Sequence, residues 1–81
     1  MKLPRDVDGL DLAALLRRLG YTVVRQTGSH IRLTAIAQGV QVHITVPAHS
    51  PLKVGMLSGI LNEVAVQQQI TRREVEELLF R

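Results

Sequence analysis

The strictest constraint on the fold is an alternation of apolar and polar side chains across residues 40–46. The apolar members are Val40, Val42, Ile44 and Val46, and the polar members between them are Gln41, His43 and Thr45. Side chains of a β-strand point to opposite faces with a period of two. A strand of this kind buries one face and leaves the other open, which is typical of an antiparallel sheet covered on one side only. The rest of the chain must therefore supply neighbouring strands and a single covering layer.

Two further strands are predicted immediately before this one. Residues 21–26 are rich in β-branched side chains, and residues 30–36 again alternate between polar and apolar positions at their start. The segments 27–29 and 37–39 each contain a glycine and predict tight turns. Three strands joined by such short turns are expected to form an antiparallel sheet in chain order.

The hairpin of the second and third predicted strands has a register that satisfies both faces. A turn centred on Ala37 and Gln38 predicts the cross-strand pairs His30–Thr45, Arg32–His43, Thr34–Gln41, Ile31–Ile44 and Leu33–Val42. In this register the apolar pairs face the core and the polar pairs face outward. Arg25, on the first strand, can lie alongside this polar face.

Helical periodicity flanks the strands on both sides. Before them, Asp8 is a reasonable N-cap and Gly20 a stop signal, which predicts a helix over residues 9–19. After them, a helical pattern begins at about Leu52. Its apolar stripe is Val54, Leu57, Ile60, Leu61 and Val64.

The last third of the chain contains three features that shape its helices. Gly55 and Gly59 lower helix propensity, but they would allow the helix backbone to approach the sheet closely. The three glutamines at residues 67–69 are interpreted as a polar connector. A Thr-x-x-Glu capping box that starts at Thr71 predicts a final helix over residues 71–80.

The predicted order is helix, three antiparallel strands, helix, helix, in one α+β domain that spans residues 1–81. Residues 1–7 form a short leader before the first helix. The helices are expected to cover one face of the sheet and to leave the other open. This arrangement is similar to that of a double-stranded-RNA-binding domain with an extra C-terminal helix. Because a fold alone does not give a function, the function has to be inferred from the residues of the site.

Composition narrows the function classes further. The chain has no cysteine, which excludes disulfides and thiolate metal sites. No apolar run is long enough to span a membrane and the N-terminus lacks the apolar centre of a signal peptide, so we expect a cytoplasmic protein without membrane contact. The net charge is +3, and no acidic residue lies between Arg17 and Lys53. A basic middle with acidic ends suits a polyanion such as RNA.

The candidate site is the turn and strand that follow Thr27. His30 and Arg32 share the polar face of that strand, so a titratable imidazole lies beside a fixed cation. Cleavage of RNA without a metal needs a group that takes the proton of a 2′-hydroxyl and cations that hold the phosphate. We therefore predict His30 as the catalytic residue, with no cofactor. The predicted substrate-binding residues are Gly28, Ser29, Arg25, Arg32, His43 and Lys53.

Other roles for the histidines stay open at this point. His30 could be an ordinary polar residue of a solvated strand, which is the commoner situation for an isolated His-x-Arg. His30, His43 and His49 could in principle bind zinc together, although their spacing matches no compact zinc pattern. His49 is expected to have a role in its loop, with a place at the site as the alternative.

Several segments point together to a known family. They are residues 15–21 (LLRRLGY), 24–30 (VRQTGSH), 46–49 (VPAH), 52–57 (LKVGML), 60–61 (IL) and the final helix of residues 71–79. In this combination the chain resembles the HicA toxin family, also called the YcfA-like family. The family often has threonine where this chain has Met56, and often a basic residue where it has Ser58, differences that would weaken the hold on RNA.

The resemblance implies an activity and a partner. It implies a toxin that cleaves mRNA without needing the ribosome, on a double-stranded-RNA-binding-like fold, with the family histidine at His30. It also implies a HicB-type antitoxin that binds the toxin and blocks its site. Two rival interpretations remain, a non-catalytic RNA-binding module and a protein-interaction subunit that uses the open sheet face or an edge strand. Assembly into a homo-oligomer is also left open.

Overall fold

A computed structural model describes residues 6–81 of the chain. The elements are α1 (Gly9–Leu16), a 3₁₀ helix (Arg17–Leu19), β1 (Thr22–Thr27), β2 (His30–Ala37), β3 (Val40–Pro47), α2 (Val54–Gln68) and α3 (Arg72–Phe80). The strands form one antiparallel sheet in the order β1-β2-β3. The predicted α+β fold, with the element order of a double-stranded-RNA-binding domain, is confirmed. Most of the expected leader, residues 1–5, lies outside the described residues.

The hydrophobic core lies between the helices and one face of the sheet. Its least exposed members come from α1, α2 and α3, from the strands β2 and β3, and from the residue before β1: Leu12, Leu16, Tyr21, Ile31, Leu33, Ile44, Val46, Leu57, Leu61, Val64, Val75 and Leu79. Helices α1 and α2 pack on this face, and α3 packs on α2 and α1. The opposite face, called the open face below, carries the alternate side chains. Within residues 6–81, no helix combines the length and the hydropathy needed to cross a membrane.

The first turn of α1 packs directly against the end of β3. A Cβ atom added to Gly9 would overlap the carbonyl oxygen of Pro47, so this approach requires glycine. The amide of Gly9 donates to the carbonyl of His49 at 2.9 Å, and the amide of Leu52 donates to the carbonyl of Val7 at 2.8 Å. The loop between β3 and α2 is therefore held by the segment that leads into α1.

The register of β2 and β3 differs by two residues from the prediction. The observed pairs include His30–Pro47, Arg32–Thr45, Thr34–His43, Ile31–Val46 and Leu33–Ile44, so the predicted pairs are wrong. The turn consists of Gln38 and Gly39, whose φ angles are 54° and 77°. Positive φ at both central positions is the pattern of a type I′ turn, which matches the twist of the strands better than a turn centred one residue earlier. Because the shift is an even number of residues, every side chain keeps its predicted face.

Strand β1 contains a β-bulge at Val24 that no sequence pattern predicted. Val23 pairs with Leu33, and Arg25 pairs with Arg32. Residues 23 and 25 of a regular strand would share a face, but the extra residue places Val23 on the helix side and Arg25 on the open side. Because of the bulge, β1 begins with an apolar residue on the helix side and still places Arg25 beside the polar residues of β2.

Helix α2 departs from the prediction in its apolar stripe and its glycines. Val54 is the first residue of the helix and is 56% exposed, so its assignment to the buried stripe is wrong. Cβ atoms added to Gly55 and Gly59 would meet nothing within 4 Å. Both glycines thus face open space, and the predicted close approach to the sheet is wrong. The buried stripe itself is Leu57, Ile60, Leu61, Val64 and Ala65.

The glutamine segment is not a simple connector. Gln67 and Gln68 belong to α2, and the helix ends at Gln69, whose φ of 56° is left-handed. Gln67 accepts a hydrogen bond from the Tyr21 hydroxyl at 2.7 Å and donates to the backbone oxygen of His43 at 2.8 Å. It therefore ties the end of α2 to both β3 and the residue that precedes β1.

Helix α3 begins with the predicted capping box. The Thr71 hydroxyl accepts from the Glu74 amide, and the Glu74 carboxylate accepts from the Thr71 amide, both at 3.1 Å. At the other end, Arg18 donates to the carbonyl oxygens of Leu79 and Arg81 at 3.1 and 3.3 Å. A cation at a helix C-terminus is favourable because the last carbonyls lack helical partners.

Candidate functional site

A shallow concavity of about 310 Å³ lies on the open face, where β1, β2 and β3 lie side by side. Its lining side chains are Arg25, Thr27, His30, Arg32 and Thr45. The strand pairing explains this grouping, because Thr27 is opposite His30 and Arg25 is opposite Arg32 across β1 and β2. On the other side, Thr45 of β3 is opposite Arg32. The sheet therefore brings together the histidine and both arginines that the sequence singled out.

His30 is placed by a two-residue turn. Gly28 has a φ of 56°, a left-handed value at the first central position that is typical of a type II′ hairpin and favours glycine. The Ser29 carbonyl accepts from the Ala48 amide at 2.6 Å, which fastens the turn to the residue after β3. His30 follows as the first residue of the central strand, and its side chain is exposed on the open face. Gly28 and Ser29 thus act on the site through the backbone.

Arg25 and Arg32 form a cross-strand pair of like charges. Arg25 donates from Nε to the Thr27 hydroxyl at 3.2 Å, a contact that directs its guanidinium along β1. Neither arginine has an acidic partner in the ion pairs of the described residues. Like charges directly opposite one another are unfavourable by roughly 0.2–1 kcal/mol. Such a pair gains from an anion held between the two guanidinium groups.

His43 lies on the same face but outside the concavity. It is opposite Thr34, and the position opposite Arg32, where the sequence placed His43, is occupied by Thr45. His43 is one diagonal step from Arg32, a separation of roughly 7–8 Å between Cα atoms in an antiparallel pair. Its backbone oxygen is the acceptor of the Gln67 side chain. His43 therefore flanks the cluster rather than completing it.

Tyr21 connects this network to the core. Its ring is 1% exposed and its hydroxyl donates to Gln67. Burial is the main cause that raises the pKa of the Tyr21 hydroxyl above its usual value of 10.0. The phenol therefore stays protonated and acts as a donor through the physiological range.

Lys53, which was predicted to bind substrate, lies outside the concavity. It is the exposed residue immediately before α2 and does not line the concavity. Arg18, one of the cations of the basic middle segment, is engaged at the end of α3 instead. The concentration of positive charge at the site is therefore due to Arg25 and Arg32.

Met56 and Ser58, the two positions at which the sequence analysis expected a weaker hold on RNA, lie on α2. Met56 is 41% exposed. Ser58 is covered by Arg72 of α3, whose Nη1 lies 3.1 Å from the Ser58 hydroxyl and 2.7 Å from Asn62 Oδ1. The same guanidinium forms an ion pair with Glu76 at 3.0 Å. The guanidinium group of Arg72 thus lies next to Ser58, but its charge is compensated by Glu76.

The structure offers no support for the zinc alternative. Among residues 6–81, no group of three His, Asp or Glu side chains is arranged to hold a metal ion. His49 contributes its backbone oxygen to Gly9, in keeping with the predicted loop role, and does not line the concavity.

Two residues that line the concavity, Thr27 and Thr45, were not among the predicted site residues, although Thr45 was placed on the polar face. Their positions in the sequence could have indicated them. Thr27 borders the turn directly opposite His30, and Thr45 is one of the polar residues that alternate along β3. Thr45 could be assigned to Arg32 only with the correct register. Thr27 could be assigned to Arg25 only from the side-chain geometry.

Fold and site together define a class: a small α+β domain with the element order of a double-stranded-RNA-binding domain and a cationic, histidine-bearing sheet face. The sequence profile described as "HicA toxin of bacterial toxin-antitoxin" matches residues 9–66, more than half of the 81-residue chain. The chain therefore belongs to the HicA toxin family, a family of toxin–antitoxin systems in which the toxin has an antitoxin as its partner. Comparison with curated proteins and with solved structures gives no match.

Proposed function

We propose that this toxin is a ribosome-independent mRNA endoribonuclease that uses His30 for proton transfer. The observation that carries the proposal is the concavity in which His30 lies beside Arg25 and Arg32 on the open face. Histidine is the side chain most often used for proton transfer, and two guanidinium groups are suited to hold the phosphoryl oxygens as negative charge builds up on them. The exposed position of all three side chains leaves room for a polymer to lie along the sheet.

The proposed reaction needs no cofactor. The neutral imidazole of His30 accepts the proton of a 2′-hydroxyl while the 2′-oxygen bonds to the adjacent phosphorus. The bond from phosphorus to the 5′-oxygen breaks, and the imidazolium returns the proton to that oxygen directly or through a water molecule. The products are a 2′,3′-cyclic phosphate and a 5′-hydroxyl, so atoms and charge balance without a metal. Arg25 and Arg32 stabilise the negative charge that builds up on the phosphoryl oxygens.

The remaining predicted residues have supporting roles in this proposal. Gly28 and Ser29 form the turn that positions His30, while His43 contacts a nucleotide next to the cleaved one. Lys53 contacts phosphate further along the chain. A HicB-type antitoxin is the proposed partner in the cytoplasm, and it inhibits by covering the open face. One surface of such a partner can cover Arg25, Arg32 and the exposed His30 together.

The proposal is tested by expression in a bacterium without the antitoxin. Wild-type protein is expected to arrest growth, and His30→Ala is expected to relieve the arrest. His49→Ala is a matched control because it removes the same type of side chain from a residue outside the concavity. A His30→Ala protein that is folded by circular dichroism and remains as toxic as the wild type would rule out the catalytic role of His30.

A second candidate is a non-catalytic RNA-binding module. It is favoured by the shallow shape of the site and by the exposure of its cations, which suit recognition of RNA by shape and phosphate contacts. Purified protein should be incubated with RNA in a chelator, and new 5′ ends should be mapped. Binding without new ends would favour the module, whereas ends that depend on His30 would favour the nuclease.

A further inference from the structure

The three strands lie within a long stretch of sequence that contains no carboxylate. No Asp or Glu occurs between Asp11 and Glu63, a segment that contains β1, β2 and β3 entirely. The acids of the described residues lie on the helices or in the segment before α1. The charge of Arg25 and Arg32 on the open face is therefore not compensated by any residue of their own sheet.

The two arginines also line a common concavity. They are directly opposite one another across β1 and β2 and both line the same concavity. The contact from Arg25 Nε to the Thr27 hydroxyl uses the donor nearest the backbone and leaves the terminal amino groups of Arg25 available. Arg32 has Thr45 as its cross-strand neighbour on the other side. Two guanidinium groups with free terminal donors can each form charge-assisted hydrogen bonds to one anion.

The number of cations exceeds what one backbone phosphate requires. A phosphodiester of RNA carries one negative charge, whereas a terminal phosphomonoester carries about 1.5 to 2 at pH 7. Inorganic phosphate approaches two negative charges at slightly alkaline pH. The five-coordinate phosphorus of the proposed cleavage reaction also carries a second negative charge on its oxygens. Two uncompensated arginines match the doubly charged species better than the singly charged one, which is the relation expected of a site complementary to a transition state.

We propose that the concavity is a binding site for a phosphate dianion, either free or as the terminal phosphomonoester of a nucleotide, and that it discriminates against a phosphodiester monoanion. The guanidinium groups of Arg25 and Arg32 are the two ligating groups, and Thr27 is a positioning residue that orients Arg25. The inference rests on the same site as the proposed nuclease and assigns it a ligand class of its own. Such a ligand occupies the place of the reacting phosphate and competes with RNA.

The proposal is tested by titrations of the purified full-length protein, followed by NMR through backbone amide shifts. The probes are inorganic phosphate, uridine 3′-monophosphate and dimethyl phosphate at constant ionic strength. At about pH 8, inorganic phosphate and the nucleotide represent the free and the terminal dianion, and dimethyl phosphate represents the diester. The variants are Arg25→Gln, Arg32→Gln and Thr27→Val. Arg73→Gln is the matched control because its side chain is 83% exposed on α3 and its loss changes the net charge equally.

The expected result has three parts. The dissociation constant of inorganic phosphate rises about tenfold or more in Arg25→Gln and in Arg32→Gln, since each removes charged hydrogen bonds. It rises about threefold in Thr27→Val, which loses one neutral acceptor and retains a β-branched side chain. It is unchanged in Arg73→Gln. Dimethyl phosphate binds the wild type at least tenfold more weakly than inorganic phosphate does.

Several results would overturn the inference. One is equal weakening in Arg73→Gln and Arg32→Gln, which would show a general charge effect. Another is equal affinity for dimethyl phosphate and inorganic phosphate, and a third is wild-type affinity in both site variants. If only the nucleotide binds, the free-ion form is excluded and the terminal phosphomonoester remains as the ligand.

These titrations contain no RNA substrate, so their outcome is separate from that of the proposed nuclease. Discriminating phosphate binding without RNA cleavage would retain the dianion site and reject the nuclease. Cleavage that depends on His30, without phosphate binding, would do the reverse. Both site arginines are exposed, so their glutamine variants can be checked for folding by the same amide spectra.

Discussion

Arginines on the two sides of this small domain have opposite surroundings. On the helix side, Arg72 forms an ion pair with Glu76 and hydrogen bonds to Ser58 and Asn62, and Arg18 caps the end of α3. On the open face, Arg25 and Arg32 lie among Thr27, His30 and Thr45, and neither has an acidic partner in the ion pairs of the described residues. The first group joins helices to one another. The second group contributes little to folding and is free to bind a ligand, so net charge alone could not have distinguished the two.

The largest expected effect is on the open face. Arg32→Gln should reduce the rate of RNA cleavage by about a hundredfold, because it removes a cation that stabilises the developing phosphoryl charge. The thermal midpoint should stay the same or rise slightly, since the repulsion between Arg25 and Arg32 is relieved. Single-turnover cleavage and calorimetry on the same preparation give both numbers. A fall in stability with unchanged cleavage would contradict the division between the two sides.

Gly9→Ala, on the helix side, should lower stability and leave RNA cleavage per folded molecule unchanged. The added methyl group overlaps the backbone of Pro47, which should lower the free energy of unfolding by about 2–3 kcal/mol. Gly28→Ala is a useful comparison, because its Cβ would meet nothing within 4 Å and the cost comes from the left-handed φ alone, about 1–2 kcal/mol. Urea unfolding measures both. Equal or reversed losses would show that the α1–β3 contact is softer than its geometry indicates.

Arg72→Leu should destabilise the domain by about 1–2 kcal/mol through the loss of charged hydrogen bonds between α2 and α3. RNA cleavage per folded molecule should stay at the wild-type level, because the side chain is on the helix side. Arg73→Gln, whose only ion pair is exposed and 3.8 Å long, should change stability by less than about 0.5 kcal/mol. Loss of cleavage in a folded Arg72→Leu protein would place this arginine in the site.

Tyr21→Phe should have a smaller effect than Arg72→Leu, about 1 kcal/mol at neutral pH, from the loss of the hydrogen bond to Gln67. Its pH dependence is the sharper test. The raised pKa of Tyr21 gives stability that is complete below the unfolded pKa of about 10 and is lost as the pH rises through the folded pKa. Wild-type stability should therefore fall more steeply above pH 10 than that of Tyr21→Phe. Parallel curves from pH 8 to pH 11 would contradict the shift.

Local sequence patterns predicted the elements well. The alternation after Val40, the stop at Gly20 and the capping box at Thr71 are each determined by a few neighbouring residues, and each was confirmed. The face assignment of His30 and Arg32 followed from the same periodicity. These predictions succeeded because they depend on backbone geometry over one turn or one strand.

The errors concern contacts between elements. The β2–β3 register depended on the preference of Gln38 and Gly39 for a type I′ turn, and a shift of two residues left the hydrophobic pattern unchanged, so the pattern could not detect it. The bulge at Val24 and the bridging role of Gln67 arise from tertiary packing. The register error paired His43 with Arg32 and Thr45 with His30, and neither Thr27 nor Thr45 was included among the predicted site residues.

The absence of acids from the sheet has a consequence for the kinetics of association. The open face carries Arg25 and Arg32 without a carboxylate, whereas the helices and the segment before α1 carry other cations together with all the carboxylates of the described residues. A molecule with this distribution has an electric dipole directed through its layers, which turns the site toward a polyanion before contact is made. Productive encounters should then be faster at low ionic strength, with the advantage fading as the Debye length falls below about 10 Å.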